Sequence, residues 1–315
     1  MAYSRAKSHS LRGSSRYGKK KRGGVRRRSY GKKRPYRKNR AMSKRKLVNM
    51  MSRKKRDVMM SSAAAGSNPD PNSTTVDGPL TILGTTTSTY HTGYHMTLQC
   101  PSHRFLNPNN AAFLAYRTAT RPYIRGLSEK YQITPNDAAV WEHRRIVFAT
   151  KSQFVAAVLP NIGAQTASSD FNSRRQFRDM SGVTTGNYTT LQTQLYDVVF
   201  AGVDTVDWRN PMLAKVDRAR VDVLSDTRYQ IASSNQVGRT RLKNFWTPVN
   251  KTLQYDDEEN GLSVSPSAVS VQDKRGMGNI FVLDLFVCLN PVDNVAPQNS
   301  YLLVSSQQTL YWHEK

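Results

Sequence analysis

Several stretches of this chain alternate apolar and polar residues with a period of two. The clearest is 219–231, ARVDVLSDTRYQI. There Val221, Val223, Tyr229 and Ile231 fall on one face. Arg220, Asp222, Asp226, Arg228 and Gln230 fall on the other, and Leu224 breaks the rhythm. Successive side chains of a strand point to opposite faces, so this pattern predicts a strand with one dry and one wet face. Residues 280–289, IFVLDLFVCL, are apolar apart from Asp284 and read as a strand buried on both faces, ended by Asn290-Pro291. Residues 301–312 alternate more weakly, with Leu302, Val304, Leu310 and Trp312 on one face. Further strands are expected over 76–83, 90–98, 126–133, 140–150, 195–203 and 239–253. Asn109-Asn110 ahead of AAFLAYR is a candidate cap for one short helix. About eight short strands with irregular, turn-rich connections predict an all-β sandwich or jelly roll rather than an α/β enzyme fold.

Charge divides the chain in two. Residues 1–56 hold 24 of the 47 Lys and Arg and no Asp or Glu; the first acid is Asp57. The remaining 259 residues hold 23 basic and 22 acidic residues, so +24 of the formal +25 sits in the first 56. Like charges at that density repel, and few apolar residues are present to offset the ordering entropy. A disordered basic N-terminal arm is expected over 1–60. Residues 61–75, SSAAAGSNPDPNSTT, read as a linker, and 76–315 as the folded body. On that division, removing residues 1–56 should leave the body folded.

The arm calls for a polyanion: nucleic acid, an acidic membrane or an acidic protein. Its candidate nucleic-acid-binding and nuclear-import residues are Arg16, Lys19, Lys20, Lys21, Arg22, Arg26, Arg27, Arg28, Lys32, Lys33, Arg34, Arg37, Lys38 and Arg40. The series continues with Lys44, Arg45, Lys46, Arg53, Lys54, Lys55 and Arg56. These cations would neutralise phosphates and release counterions, an attraction that ignores base sequence and weakens with salt. Tyr17, Tyr30 and Tyr36 are interleaved and are candidates for stacking on unpaired bases. The clusters also fit the basic signals read by nuclear-import receptors.

Catalytic signatures are missing: no GxxxxGK[ST], HExxH, GxSxG or strand-linked GxGxxG occurs. His143 beside Glu142 in WEHRR is a lone histidine and is expected at a surface or interface. The chain is therefore expected not to be an enzyme and to need no cofactor. His91, His95, Cys100 and His103 in HTGYHMTLQCPSH have the residue types of a zinc site. In an extended strand, however, His91 and His95 would lie roughly 13 Å apart, so no metal is expected. Asp256, Asp257, Glu258 and Glu259 form the only acid run and read as a solvated hairpin loop ending at Gly261. No apolar run is long enough for a transmembrane helix, and the basic N-terminus lacks the apolar core of a secretory signal. With only Cys100 and Cys288, no disulfide framework exists.

A glycine- and tyrosine-dotted basic arm joined to a β-rich body resembles the layout of small-virus coat proteins. VDVLSDTRYQI (221–231) resembles a strand of coat proteins from small circular single-stranded DNA viruses. NIFVLDLFVCLNP (279–291) with SYLLVSSQQTLYWHEK (300–315) resembles the last two strands of geminivirus and, more closely, genomovirus coat proteins. The resemblance implies a single eight-stranded jelly roll of two four-stranded sheets. It implies about sixty copies in an icosahedral shell, or two such shells joined incomplete. It also implies a capsid protein found in the virion and the host nucleus, packaging circular single-stranded DNA through the arm. About sixty such arms would carry on the order of 1,400 charges, matching a strand of about a thousand nucleotides or more. The rival expectation is a cellular chromatin- or ribosome-associated protein with a basic tail.

Overall fold

The computed structural model describes residues 42–64, 75–76, 78–84, 93–107, 115–152, 165–167, 173–177, 179, 195–233, 236–290 and 300–315. The chain divides into two units, Met1–Lys44 and Arg45–Lys315, and all the described strands lie in the second. A helix, α1 (Lys44–Met51), comes first. The strands follow as β1 (Arg53–Ala64), β2 (Thr75–Val76), β3 (Leu80–Leu83), β4 (Tyr94–Gln99), β5 (Tyr123–Pro135), β6 (Trp141–Thr150) and β7 (Gln165–Ala167). Then come β8 (Ser173–Phe177), β9 (Asp222–Ile231), β10 (Arg241–Thr252), β11 (Glu258–Asn260), β12 (Ser263–Ser265), β13 (Asn279–Cys288) and β14 (Tyr301–Glu314).

The strands form one eight-stranded sheet in the order β10-β5-β14-β1-β8-β7, with β2 beside β1 and β3 beside β14. A second sheet runs β4-β13-β6-β9, and β11 and β12 make a separate hairpin. The fold is therefore all-β and almost wholly antiparallel; among the described pairs only β1 with β8 is parallel. Taking the eight long strands in chain order, the large sheet reads 6-3-8-1 from its β10 edge and the small one 2-7-4-5.

The two sheets pack face to face. Two apolar clusters lie between them, one around Ile82, Tyr131, Trp141, Ile231, Phe286 and Leu302, the other around Met59, Leu127, Val147, Val282, Leu310 and Trp312. The other side of the small sheet is also covered. Ile146, Phe148, Phe281, Leu283 and Leu285 pack there against Tyr196, Val199, Phe200, Met212 and Val216. This double cover explains why β13 is apolar apart from Asn279 and Asp284. Its even positions face the large sheet, and its odd positions face the 195–221 segment.

Three sequence expectations are corrected. Residues 53–64, expected in arm and linker, form β1 in the middle of the large sheet. It is paired with β14 from Arg53↔Glu314 to Met60↔Gln307. Residues 195–199, expected to open a strand, are helical, with the Phe200 amide donating to the Tyr196 carbonyl at 2.8 Å. Leu195 with Val199, and Tyr196 with Phe200, stand four apart and share one face of that turn, so a helical period hides in an apolar run. The single dry face expected for 219–231 is split. A bulge at Leu224 breaks the pairing with β6 between Val147 and Phe148. Val221 and Val223 therefore pack on the outer cluster, while Leu224, Tyr229 and Ile231 turn inward between the sheets. The expected helix cap at Asn109-Asn110 lies outside the described residues.

Candidate nucleic-acid interface

The basic series from Arg16 to Arg40, together with Tyr17, Tyr30 and Tyr36, lies outside the described residues. The cations that follow are placed. Lys46 is exposed on α1, which also contains Lys44 and Arg45. The RKKR cluster at 53–56 then enters β1, and the strand's period splits it. Arg53, Lys54 and Arg56 are exposed, whereas Lys55 is 3 % exposed.

Lys55 belongs to the fold rather than to a nucleic-acid surface. Its Nζ donates to the Tyr116 carbonyl at 2.8 Å, the Thr118 hydroxyl at 2.9 Å and Glu314 Oε2 at 2.9 Å, using all three of its protons. Glu314 also accepts from Trp312 Nε1 at 2.8 Å and the Thr118 amide at 3.1 Å. Burial alone would raise the Glu314 carboxyl; the bonds from Thr118, Lys55 and Trp312 outweigh it and hold the group below its ordinary value. Two residues on, Asp57 pairs with Arg104 at 2.7 Å, and that guanidinium lies over the Trp312 ring at 4.8 Å. The inward face of β1 is thus a charge-paired anchor, and its outward face keeps Lys54 and Arg56 at the surface.

Behind the sheet runs a polar spine that separates the two inner apolar clusters. Ser61 meets Ser306 at 2.6 Å and accepts from Gln99; Gln308 bridges Gln99 at 2.8 Å and Glu129 at 3.0 Å. Glu129 pairs with Arg145 and accepts from the Tyr131 hydroxyl, which also reaches Asp284 at 2.9 Å. Asp284 in turn meets His143 Nε2 at 2.8 Å, and His143 Nδ1 meets the Tyr229 hydroxyl. Burial, and then Asp284, raise both phenols, so Tyr131 and Tyr229 remain donors. Burial pulls Arg145 down to about 10, still charged at neutral pH. His143 therefore departs from its expected surface position: it is fully buried and stacked on Phe286 at 4.2 Å. The Asp284–His143–Tyr229 chain has the partners of a proton relay; Asp284 and His143 are fully buried, and Tyr229 at its end is half-buried.

The histidine–cysteine segment disperses. His91 lies outside the described residues. His95 pairs with Asp179 at 2.5 Å; burial lowers its pKa, but the Asp179 bond and charge outweigh this, so the net shift is upward. Cys100 is buried in the outer apolar cluster, and His103 lies edge-on to Phe105 at 5.6 Å. Among the described residues no three His, Cys, Asp or Glu come together in a way that could hold a metal. The acid run also divides. Asp256, Glu258 and Glu259 are exposed, the last two on the β11–β12 hairpin. Asp257 instead makes a two-pronged pair with Arg117 at 2.6 and 2.8 Å, both side chains 1 % exposed. Arg117 lies over the Tyr255 ring at 3.8 Å.

Among the described residues no helix is long and apolar enough to cross a membrane. No protein-family model matches the chain, and no curated protein is significantly similar to it.

Proposed function

We propose that the protein is the capsid protein of a small single-stranded DNA virus. On this reading the body is an eight-stranded jelly roll that self-assembles into a closed icosahedral shell, and the basic arm packages the DNA. The observation that carries the reading is the strand order. In chain order 6-3-8-1 faces 2-7-4-5, the arrangement of two interleaved four-strand Greek keys, an architecture used by viral capsid and lectin domains and by cupins. Fold alone does not choose among these. The choice rests on the arm: 20 cations without an acid precede the first strand of the sandwich, and the strand itself opens with Arg53 to Arg56. A sugar-binding or metal-binding sandwich has no use for such a segment, whereas a shell that must hold a polyanion on one surface does.

The body itself is near neutral, so neighbouring subunits repel little, while the arms repel strongly until phosphates neutralise them. Assembly should accordingly be coupled to DNA and weaken with salt. The same basic clusters would serve the host's nuclear-import receptors before assembly. The test is to mix the purified full-length chain with circular single-stranded DNA across a salt series and challenge it with nuclease. Protected DNA in large complexes at low salt, lost as salt rises, is expected. A chain that stays monomeric or dimeric and leaves the DNA digestible would sink the proposal in favour of a cellular basic-tailed binding protein.

A further inference from the structure

The outer face of the large sheet is not covered by any described element. Its rows run across four strands in register. Arg56 stands beside Tyr311, which pairs with Gly126, which pairs with Pro248; Val58, Thr309, Ser128 and Trp246 form the next row. A register shift beside Tyr311 turns Arg125 outward, and Lys130 is exposed two positions beyond Ser128. Lys54, Arg56, Arg125 and Lys130 thus lie on this face. Its outward positions over 54–60, 125–132, 242–250 and 305–313 carry no Asp or Glu. The acids of these strands, Asp57, Glu129 and Glu314, all point inward and are buried.

An aromatic group sits on this face near its β10 edge. Trp246 is 51 % exposed and meets Tyr311 at 5.6 Å between ring centroids, at 63°. The indole lies down on the sheet over Gly126; a Cβ there would come within 2.6 Å of Trp246 Cζ2. The missing side chain at 126 therefore makes room for the indole against the sheet, while about half of Trp246 stays exposed. Nearby, Tyr123 lies 6.0 Å from His313. Burial, and then the charges of Lys54 and Arg125, hold His313 below its ordinary pKa, as a locally positive surface requires.

We propose that this face is a stacking platform for single-stranded nucleic acid, with unpaired bases on Trp246 and Tyr311 and phosphates on Lys54, Arg56, Arg125 and Lys130. Seated aromatic rings among cations are what a sequence-tolerant single-strand site needs, and duplex DNA, whose bases are already stacked, offers no free base for them. Lys54 and Arg56 follow the arm directly in the chain, so a strand gathered by the arm is delivered to the sheet. The proposal rests on the packaging function proposed above and gives it a defined site on the body.

The test uses the full-length chain with a thymidine oligonucleotide, and with heparin as a polyanion that has no bases. Trp141 and Trp312 are buried and Trp208 is half-buried against Tyr196 and Phe200, so quenching of the tryptophan emission is assigned to Trp246 by comparing the parent chain with Trp246→Leu. The oligonucleotide should quench it; heparin should bind without quenching. Trp246→Leu should abolish the quench and weaken oligonucleotide binding about tenfold, with heparin binding unchanged. Tyr311→Leu provides the same affinity readout should the first variant fail to fold. Oligonucleotide binding seen by anisotropy, with unaltered tryptophan emission and wild-type affinity in both variants, would overturn the platform while leaving the arm's role standing. No oligonucleotide binding by the full-length chain would overturn both. A blue shift of the emission on self-association without nucleic acid would assign the face to a second copy of the chain instead.

Discussion

At the scale of single residues, three neighbouring cations, Lys54, Lys55 and Arg56, have opposite fates decided by strand parity. Removing Lys55 strands the buried Glu314 carboxylate, so Lys55→Ala should cost roughly 3 kcal/mol or more in urea unfolding. Lys54→Ala and Arg56→Ala, one residue to either side and exposed, should stay within about 0.5 kcal/mol. Equal effects from all three would contradict the placement of β1. The same buried pairs set the response to pH. Asp257 and Glu314 have pKa values below their ordinary ones, because the bonds from Arg117 and Ser267, and from Thr118, Lys55 and Trp312, outweigh burial. Their contribution is complete above the unfolded values, near 4, and is lost as pH falls through the lower folded values. His95 is shifted the other way by Asp179. Its contribution is complete below about pH 6.5 and fades as pH rises through the raised folded value. Chemical unfolding across pH should therefore give a maximum between roughly pH 5 and 6.5. Asp257→Asn should flatten the acid limb and lower the plateau.

At the scale of elements, β1 changes where the protein can be cut. A chain lacking residues 1–41 keeps β1 whole and should melt as the parent does. A chain lacking 1–56 loses Arg53 to Arg56, with Lys55 and its bond to Glu314, and should melt far lower or fail to fold. Equal melting of the two chains would contradict the pairing of β1 with β14. The sequence pattern reached the strands at 280–289 and 301–312 because one or both of their faces are plainly apolar. It missed β1 because Arg53 to Arg56 look like more arm. Only the switch to Asp57, Val58 and Met59 hints that every second residue is buried, and the partners that neutralise Lys55 and Asp57 come from residues 104 to 118 and 314. Leu224 was legible as a break in rhythm, but its meaning, a bulge that moves Val221 and Val223 to a second core, depends on pairing with β6. Asp284 stood out as the one polar residue in its strand, yet His143, Tyr131, Glu129 and Arg145 come from other strands and no local spacing links them. Trp246 and Tyr311 lie 65 positions apart in the sequence and meet only through β5, which lies between their strands.

At the scale of the whole molecule, a near-neutral sandwich with three buried apolar clusters follows a polycationic segment in the chain, and the outward face of the sheet formed by β10, β5, β14 and β1 carries Lys54, Arg56, Arg125 and Lys130 while Asp57, Glu129 and Glu314 are buried. Each part suits a shell that encloses a polyanion. The most direct test is electron microscopy of the particles purified from cells expressing the full-length chain, with the absorbance ratio at 260 and 280 nm and nuclease sensitivity of the same fraction. The account predicts uniform closed shells with a nucleic-acid absorbance that survives nuclease. A monodisperse monomer or dimer at low salt, with any bound nucleic acid open to nuclease, would contradict it.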